Sequence, residues 1–464
     1  MISKFIDNNK ENILNTISDL IKIPSISDES MINTPTPFGL ECDKALNYAL
    51  KIAQEMGFRT KNIDGYCGYI EFGEGNELLG IIGHLDVVPA GDGWTKCAPF
   101  DPIIIDNKLY GRGAIDDKGP VVSALYAMKY VMDTKKVNKR VRLILGLNEE
   151  KSWKCIEHYK EKEEAPTLGF SPDADFPCIY AEKGFLNAYI SSLLPINSKI
   201  KLTSIECDNA INIVPKLANC SIELTDLNAK DLQAELNTII EENNFHIDVQ
   251  IVDESHIKLK SNGVAAHSAH PDLGINALSR LLIVLNTLCL NHGIEIPIFK
   301  FINDKIGTTL NGEKMNIECT DESGNLTINI ANAKLIDNEL TIGLNLRIPV
   351  TIYSSIIKQK INDAALEYNS LIVKFADEKN ALFVPKTDPL VTTLCDIFNS
   401  VTNLNCKPIT CSGATYARAF NNVVSFGANM PGKMDMCHQA DEYIDLDDLF
   451  TSLEIYIREI WTLT

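Results

Sequence analysis

Three apolar runs of this chain each end in charge. LLGIIGHLD (78–86), RVRLILGLNEE (140–150) and LGFSPD (168–173) read as strands that leave a core and meet histidine or carboxylate. Helical patterns surround them, over about 3–22, 37–57 and 117–132 and again in SWKCIEHYK (152–160). Strand and helix in alternation predict an α/β fold, a mainly parallel sheet with helices on both faces. Ligands of such sheets bind beyond the carboxyl ends of the strands, which is where these charges fall. The adjacent Glu149 and Glu150 pose the question most sharply. Like charges side by side repel, and glutamate is seldom buried without a partner. Either the pair lies on a solvated turn or a cation sits beside it.

A chain of 464 residues exceeds what one hydrophobic core usually serves. From about Leu186 the pattern changes to strands such as NAYISSLL, ANCSIEL and LTIGLNLRI, with long helices between them. This β-α-β-β-α-β character predicts a small α+β domain inserted over 186–380 as a lid. The chain then returns near Phe383-Val384-Pro385, so residues 1–185 and 381–464 are expected to form one catalytic domain. The loop from Val88 to about Ile115 is rich in Gly and Pro. Asp117 stands near the start of a helix, where unpaired amides and the helix dipole favour a carboxylate.

The net charge of −19 argues against nucleic acid as a partner, and no polybasic patch suits an anionic membrane. The N-terminal stretch has helical spacing but no continuous apolar core of a signal peptide, and no run is long enough to span a bilayer. The 13 cysteines form no CxxC pair and fit reduced thiols in a cytoplasm. Cys437 stands out only because it precedes His438. His158, His246, His256 and His292 read as ordinary surface residues.

What remains is an ordered set: His84 and Asp86, Asp116, Glu149 and Glu150, Asp173, and His438. Histidine mixed with carboxylates suits zinc or a harder ion such as manganese. No single spacing among them is a metal signature. The order in which GHLDVVPAGDGW, GRGAIDDKGP, the EE pair with Trp153, SPDADFP, NIVPKLA, AAHSAHPDLGINA and HQADEYI occur is specific. Over nearly its whole length the chain resembles the di-zinc metallopeptidase family of aminoacylases, carboxypeptidase G, succinyl-diaminopimelate desuccinylase and bacterial dipeptidases. LIKIPSISDES, the Trp153-Lys154-Cys155 context and ATYARAF look most like the dipeptidase V branch, which cleaves carnosine-type and other dipeptides.

The resemblance implies two divalent metal ions, zinc or manganese, bridged by Asp116. His84 and Asp173 would complete one site, and Glu150 and His438 the other. Asp86 would orient a ligand histidine. Glu149 would be the general base that deprotonates a metal-held water, the resulting hydroxide attacking the peptide bond of a short unblocked peptide. In the lid, His267 would donate to the oxyanion, with His270 as an alternative from position alone. Asn212 and Arg347 would meet the substrate, Arg347 through a free carboxylate, although a surface arginine on a strand reads the same way. Gly413 and Thr415 would hold the substrate's carboxylate end. The enlarged lid favours a monomer.

Two departures from the family pattern stand out. Lys151 and Ser152 follow the glutamates where relatives usually carry Ser or Thr and then Gly. Ser412 and Ala414 interrupt a run of glycines, and their Cβ atoms would narrow a turn that needs close approach or positive φ. Two other readings stay open: an N-acyl-amino-acid deacylase with the same metal centre, and a catalytically silent peptide-binding relative.

Overall fold

The computed structural model describes residues 1–464. It divides into two compact units, Met1–Ala181 with Leu382–Thr464, and Glu182–Ala381. The first crossing falls a little before the expected residue 185, because Ile179–Glu182 is a strand of the first unit's sheet.

That sheet has nine strands. Its centre is parallel: Arg140–Gly146, Leu78–His84, Leu168–Ser171 and Val423–Ser425 lie side by side in that order. Antiparallel strands flank this centre, with Cys67–Phe72 and Arg59–Ile63 on one side and Ile179–Glu182 on the other. Every residue of Leu78–His84 is buried, which requires cover on both faces and explains its unbroken apolar sequence. The helices Ile2–Ile21, Lys118–Thr134 and Leu446–Leu463 pack on one another. The helix Leu40–Glu55 packs on the antiparallel edge. Close packing sets one residue choice here. A Cβ on Gly83 would lie 2.5 Å from Asp117 Oδ2 and from Val121, so only glycine lets the helix start sit against the strand beside His84.

The Gly/Pro-rich loop 88–115 is less irregular than its composition suggests. Ile103–Ile105 and Lys108–Tyr110 form a hairpin, joined by Asp106 and Asn107 with φ of 48° and 61°. Two successive positive φ values are the type I′ turn that suits the twist of a two-residue hairpin. Lys108–Tyr110 also pairs with Tyr443–Asp445 from the far end of the chain. This small sheet ties the segment leading to Asp116 to the segment following His438.

The second unit contains two four-stranded antiparallel sheets. One is Thr327–Ile336, Glu339–Ile348, Gly184–Leu193 and Ile372–Lys379. The other is Ile200–Glu206, Leu217–Leu224, His256–Asn262 and Ile247–Ile251. Helices Ala229–Glu242, Ala277–Asn291, Pro297–Lys305 and Ser354–Leu366 complete the unit around a core of Ile, Leu and Phe. No helix of the protein is long and apolar enough to cross a membrane.

Candidate metal centre

The three parallel strands deliver their charged ends to one place. His84 is the last residue of its strand, Glu149 and Glu150 follow Arg140–Gly146, and Asp173 follows Leu168–Ser171. Asp116 enters from the turn before Lys118–Thr134, joined to Asp117 by a cis peptide bond. His438 comes from a loop near the C-terminus, with φ of 65°.

Asp116 stands between the two histidines. Its Oδ1 lies 3.0 Å from His84 Nε2, and its Oδ2 lies 3.1 Å from His438 Nε2. Asp173 Oδ2 is 3.5 Å from the same His84 Nε2. The Glu150 carboxylate is 3.1 Å from the same His438 Nε2. The ligand atoms of His84, Asp116 and Glu150 lie within 4.8 Å of one another, as do those of His84, Glu149 and Asp173. The structure thus brings all six of these residues together in the first unit.

The hydrogen-bond chemistry of His84 tests whether a cation fits. Its Nδ1 lies 2.9 Å from the carbonyl of Asp86, which only accepts, so Nδ1 carries the hydrogen. Nε2 is buried and meets no partner in hydrogen-bond geometry, although carboxylate oxygens surround it. In the neutral ring that atom offers a lone pair towards oxygens that also offer lone pairs. A divalent cation reconciles them, and the donor set of imidazole and carboxylate suits zinc or manganese.

The charges point the same way. Burial opposes a charge on His84, but Asp173, Asp116 and Asp86 outweigh it and raise its pKa. Hydrogen bonds to Asp116 and Glu150 raise His438 to about 11. Burial, then Asp116, lifts Asp173 to about 6. Burial also raises Glu149 and Glu150. Negative charge here exceeds what two imidazoles balance.

Three further carboxylates hold the ligand-bearing backbone. Asp86 accepts from the amides of Glu149 (3.0 Å) and Glu150 (3.2 Å). Its carboxylate is 3.5 Å from His84 Nδ1, so its main grip is on the glutamate loop, and its backbone carbonyl orients the histidine. Asp117, at the N-cap of its helix, makes no cap bond; its Oδ2 accepts from the His84 amide at 3.1 Å. Glu442 accepts from the amides of Gly113, Ile115 and Asp116 at 3.0, 3.1 and 3.3 Å. Glu442 and Asp117 were not singled out as parts of the site from sequence. Their position beside the motif residues was visible, but the backbone bonds that define their part were not.

Tyr416 is a third such residue. It is buried, sits 6.3 Å from His84 ring to ring, and packs against Trp153 at 5.3 Å. Its hydroxyl lies 2.7 Å from Cys155 Sγ. A Cβ on Gly146 would meet this ring at 2.4 Å, so glycine at the end of that strand admits the tyrosine.

The departures resolve locally. Lys151 is an exposed residue whose Nζ donates to the carbonyl of Ser27. Ser152 Oγ donates to Glu29, and Asn148 Nδ2 reaches Ser27 Oγ at 2.9 Å. The residues after the glutamates thus latch onto the Ser27–Glu29 turn. Ser412, Gly413 and Ala414 all lie outside the positive-φ region, so the turn does not demand glycine there. Thr415 caps the short helix Tyr416–Ala419 and shares a hydrogen bond with Ser425 Oγ at 2.7 Å. The Gly413 amide lies 3.0 Å from Cys411 Sγ.

His267, Asn212 and Arg347 belong to the second unit. His267 pairs with Ile213 across Ala266–His267 and Ile213–Val214, and the Asn212 carbonyl accepts from the Ser268 amide at 2.8 Å. Asn212 and His267 are therefore neighbours. His267 is exposed as a residue, yet partial desolvation, then Arg347 and His270, lower its pKa to about 4. Arg347 is buried, not on the strand's outer surface, with its guanidinium over Phe185 and Nε 3.3 Å from Asn345 Oδ1. His270 is exposed. Of the other histidines, His158 stacks on Tyr66 and pairs with Asp64, and His292 pairs with Glu235, each at 2.9 Å.

Comparison with known proteins agrees with this centre. The model of peptidase family M20/M25/M40 matches residues 80–461. YtjP of Bacillus subtilis (strain 168), provisionally named a dipeptidase, is 36% identical over 462 residues, covering 98% of this chain and 97% of its own. A similarly named Staphylococcus aureus (strain bovine RF122 / ET3-1) protein is 35% identical with the same coverage. Human carnosine dipeptidase 1 shares the fold with a TM-score of 0.57 at 16% identity, covering 99% of this chain and 97% of its own. Dug1p, a dipeptidase of Saccharomyces cerevisiae, also scores 0.57, at 14% identity, covering 99% and 97%. With its ligand cluster at the ends of the parallel strands, the chain belongs to peptidase family M20/M25/M40 and is a metallopeptidase.

Proposed function

We propose that the protein is a dipeptidase that works with two divalent cations, zinc or manganese. One observation carries this reading: the two oxygens of Asp116 face two different histidines, 3.0 and 3.1 Å away. Only a carboxylate offers one oxygen to each of two cations. Asp116 would bridge them, with His84 and Asp173 on one and Glu150 and His438 on the other. When bound, such a pair supplies the Lewis acidity that makes water nucleophilic at neutral pH and polarises a carbonyl.

The residues supply the rest. Glu149 pairs with neither histidine, while its neighbour Glu150 meets His438. Glu149 is the general base: it takes a proton from the attacking water and returns it to the leaving amine. Asp86 fixes the glutamates by their amides. The dipeptide preference rests on the names of relatives and on the motifs shared with the dipeptidase V branch. For the second unit we propose the parts those motifs imply. His267, neutral at working pH, donates to the oxyanion, and Asn212 and Arg347 meet the substrate. Gly413 and Thr415 hold its carboxylate end.

The test is hydrolysis of a panel of unblocked dipeptides by chelator-stripped protein, with zinc or manganese restored separately and N-acetylated dipeptides alongside. Cleavage of the free dipeptides alone, restored by one ion, is expected. Cleavage of the acetylated set alone would make the protein a deacylase. Silence with every ion would overturn the enzymatic reading.

A further inference from the structure

Asp116 and His438 face each other although the chain reaches one more than three hundred residues before the other. His438 lies on an irregular loop with its side chain more than half exposed. Something must hold these two segments in register. Four residues beyond His438, the Glu442 side chain turns inward and is fully buried. Its Oε1 accepts from the amides of Gly113, Ile115 and Asp116, and its Oε2 accepts from Arg112 Nη1 at 2.6 Å. Its own carbonyl accepts from the Gly111 amide at 3.0 Å. Arg112 is buried too, bonded through Nη2 to the Ala90 carbonyl at 3.2 Å and lying over Trp94. Next door, Asp441 accepts from the amides of Thr95 (2.7 Å) and Lys96 (2.9 Å).

A buried carboxylate is expensive unless it is paired and hydrogen-bonded. Glu442 is both, and all its partners belong to the loop that carries Asp116. We propose that Glu442 is the positioning residue of the metal centre: it clamps the 112–116 backbone to the 438–442 segment, so that the Asp116 carboxylate is held between His84 and His438 before any cation arrives. Asp86 and Asp117 act at neighbouring strand ends of the sheet, whereas Glu442 links the loop carrying Asp116 to the distant segment carrying His438. The inference rests on the two-cation reading above.

The test is metal affinity, with Glu442→Gln as the variant. Whichever way the new amide turns, its NH2 group meets donors, either the three backbone amides or the guanidinium. Loss of a group that orients metal ligands typically lowers metal affinity about 10–100-fold, and that fall is expected for Zn2+ and Mn2+ titrated into stripped, folded protein. Glu71→Gln is the control. It removes a buried carboxylate of similar kind, bonded to Arg142 at 2.6 Å and Arg59 at 3.0 Å, away from the cluster. A purely structural part for Glu442 would leave both variants with the parent's affinity, and that result would overturn the proposal.

Should Glu442→Gln not fold, Arg112→Lys keeps the three amide bonds and loosens only the anchor. A smaller fall in affinity is expected, and unchanged affinity would count against the clamp. A third reading needs no variant. The amides of Gly113, Ile115 and Asp116 should resist hydrogen exchange in the stripped parent, and rapid exchange there would overturn a preformed clamp. Failure of the parent to bind metal at all would instead remove the proposed function, while the exchange measurement would still read the clamp.

Discussion

In the first unit Asp86, Asp117 and Glu442 grip backbone amides with carboxylates. In the second, Asn329, Asn345 and Asn187 stand side by side across three strands and do their holding with side-chain amides. Asn345 Nδ2 bonds Asn187 Oδ1 at 2.7 Å, Ser268 Oγ bonds Asn345 Oδ1 at 2.7 Å, and Asn329 Nδ2 bonds the Ile213 carbonyl at 2.9 Å. The row therefore supports both segments that carry Asn212 and His267. The difference follows from what each unit has to neutralise. Buried anions are tolerable where two cations are to be received and where amides and arginine already share the charge. The asparagine row of the second unit relies instead on neutral amides, with Arg347 and Asp377 as charged neighbours at its edges.

Four variants would break or sharpen this contrast. Glu149→Gln should reduce turnover by about 10²–10⁴ with metal content unchanged, since Glu150 and Asp116 remain. A rate near the parent's, measured with metal content on the same sample, would show that the charged cluster needs no base at this position. His267→Ala should slow turnover by about 10²–10³, again without loss of metal. Parent-like kinetics would leave the segment around His267 without a part in the reaction.

The next effect is on stability. Asn187→Asp sets a carboxylate beside Asp377, whose Oδ2 now accepts from Asn187 Nδ2 at 3.2 Å. Denaturant unfolding should show a loss of about 1–3 kcal/mol, with metal affinity intact. A neutral outcome would mean the row tolerates charge as readily as the first unit does.

The smallest effect concerns Glu459, the one carboxylate of the first unit that breaks its pattern. It is fully buried in Leu446–Leu463 with neither oxygen hydrogen-bonded, and burial raises its pKa well above the ordinary value. The folded chain then holds this proton at pH values where the unfolded chain has released it. Stability from this group is present below the unfolded pKa and is lost as pH rises towards the folded one. Glu459→Gln should thus raise the melting temperature at pH 8 but not near pH 4, by an amount equivalent to about 1 kcal/mol. Equal shifts at both pH values would show that the carboxylate finds a partner.

The ligand cluster was legible in the sequence because each of its members ends an apolar run or sits in a glycine-rich motif, and the sheet collects strand ends. The residues that hold those members were not. Glu442 acts through amides, which leave no trace in residue identity, and the hairpin that brings it close is a three-residue strand pair turned by Asp106-Asn107. The second unit shows the same limit differently. In Thr327–Ile336 the residues Asn329 and Asn332 interrupt the apolar pattern and a bulge lies between Ile330 and Asn332, so this strand and the third member of the asparagine row leave little trace in the sequence. Lys151 illustrates tertiary override: a positive charge beside a cation cluster reads as a conflict until its partner, the Ser27 carbonyl, is known.

The edge-to-face series Trp153–Tyr416–His84 has an optical consequence. Of the three tryptophans, Trp153 is buried against a tyrosine that itself lies against a cluster histidine, while Trp461 is 40% exposed on the last helix. The protein carries an indole two rings away from its reactive carboxylates. In a Trp461→Phe background, adding zinc to stripped protein should shift or quench emission in proportion to occupancy, so that loading could be followed by fluorescence alone, without substrate. A flat titration with metal demonstrably bound would mean that His84 and its neighbours stand equally rigid whether empty or filled.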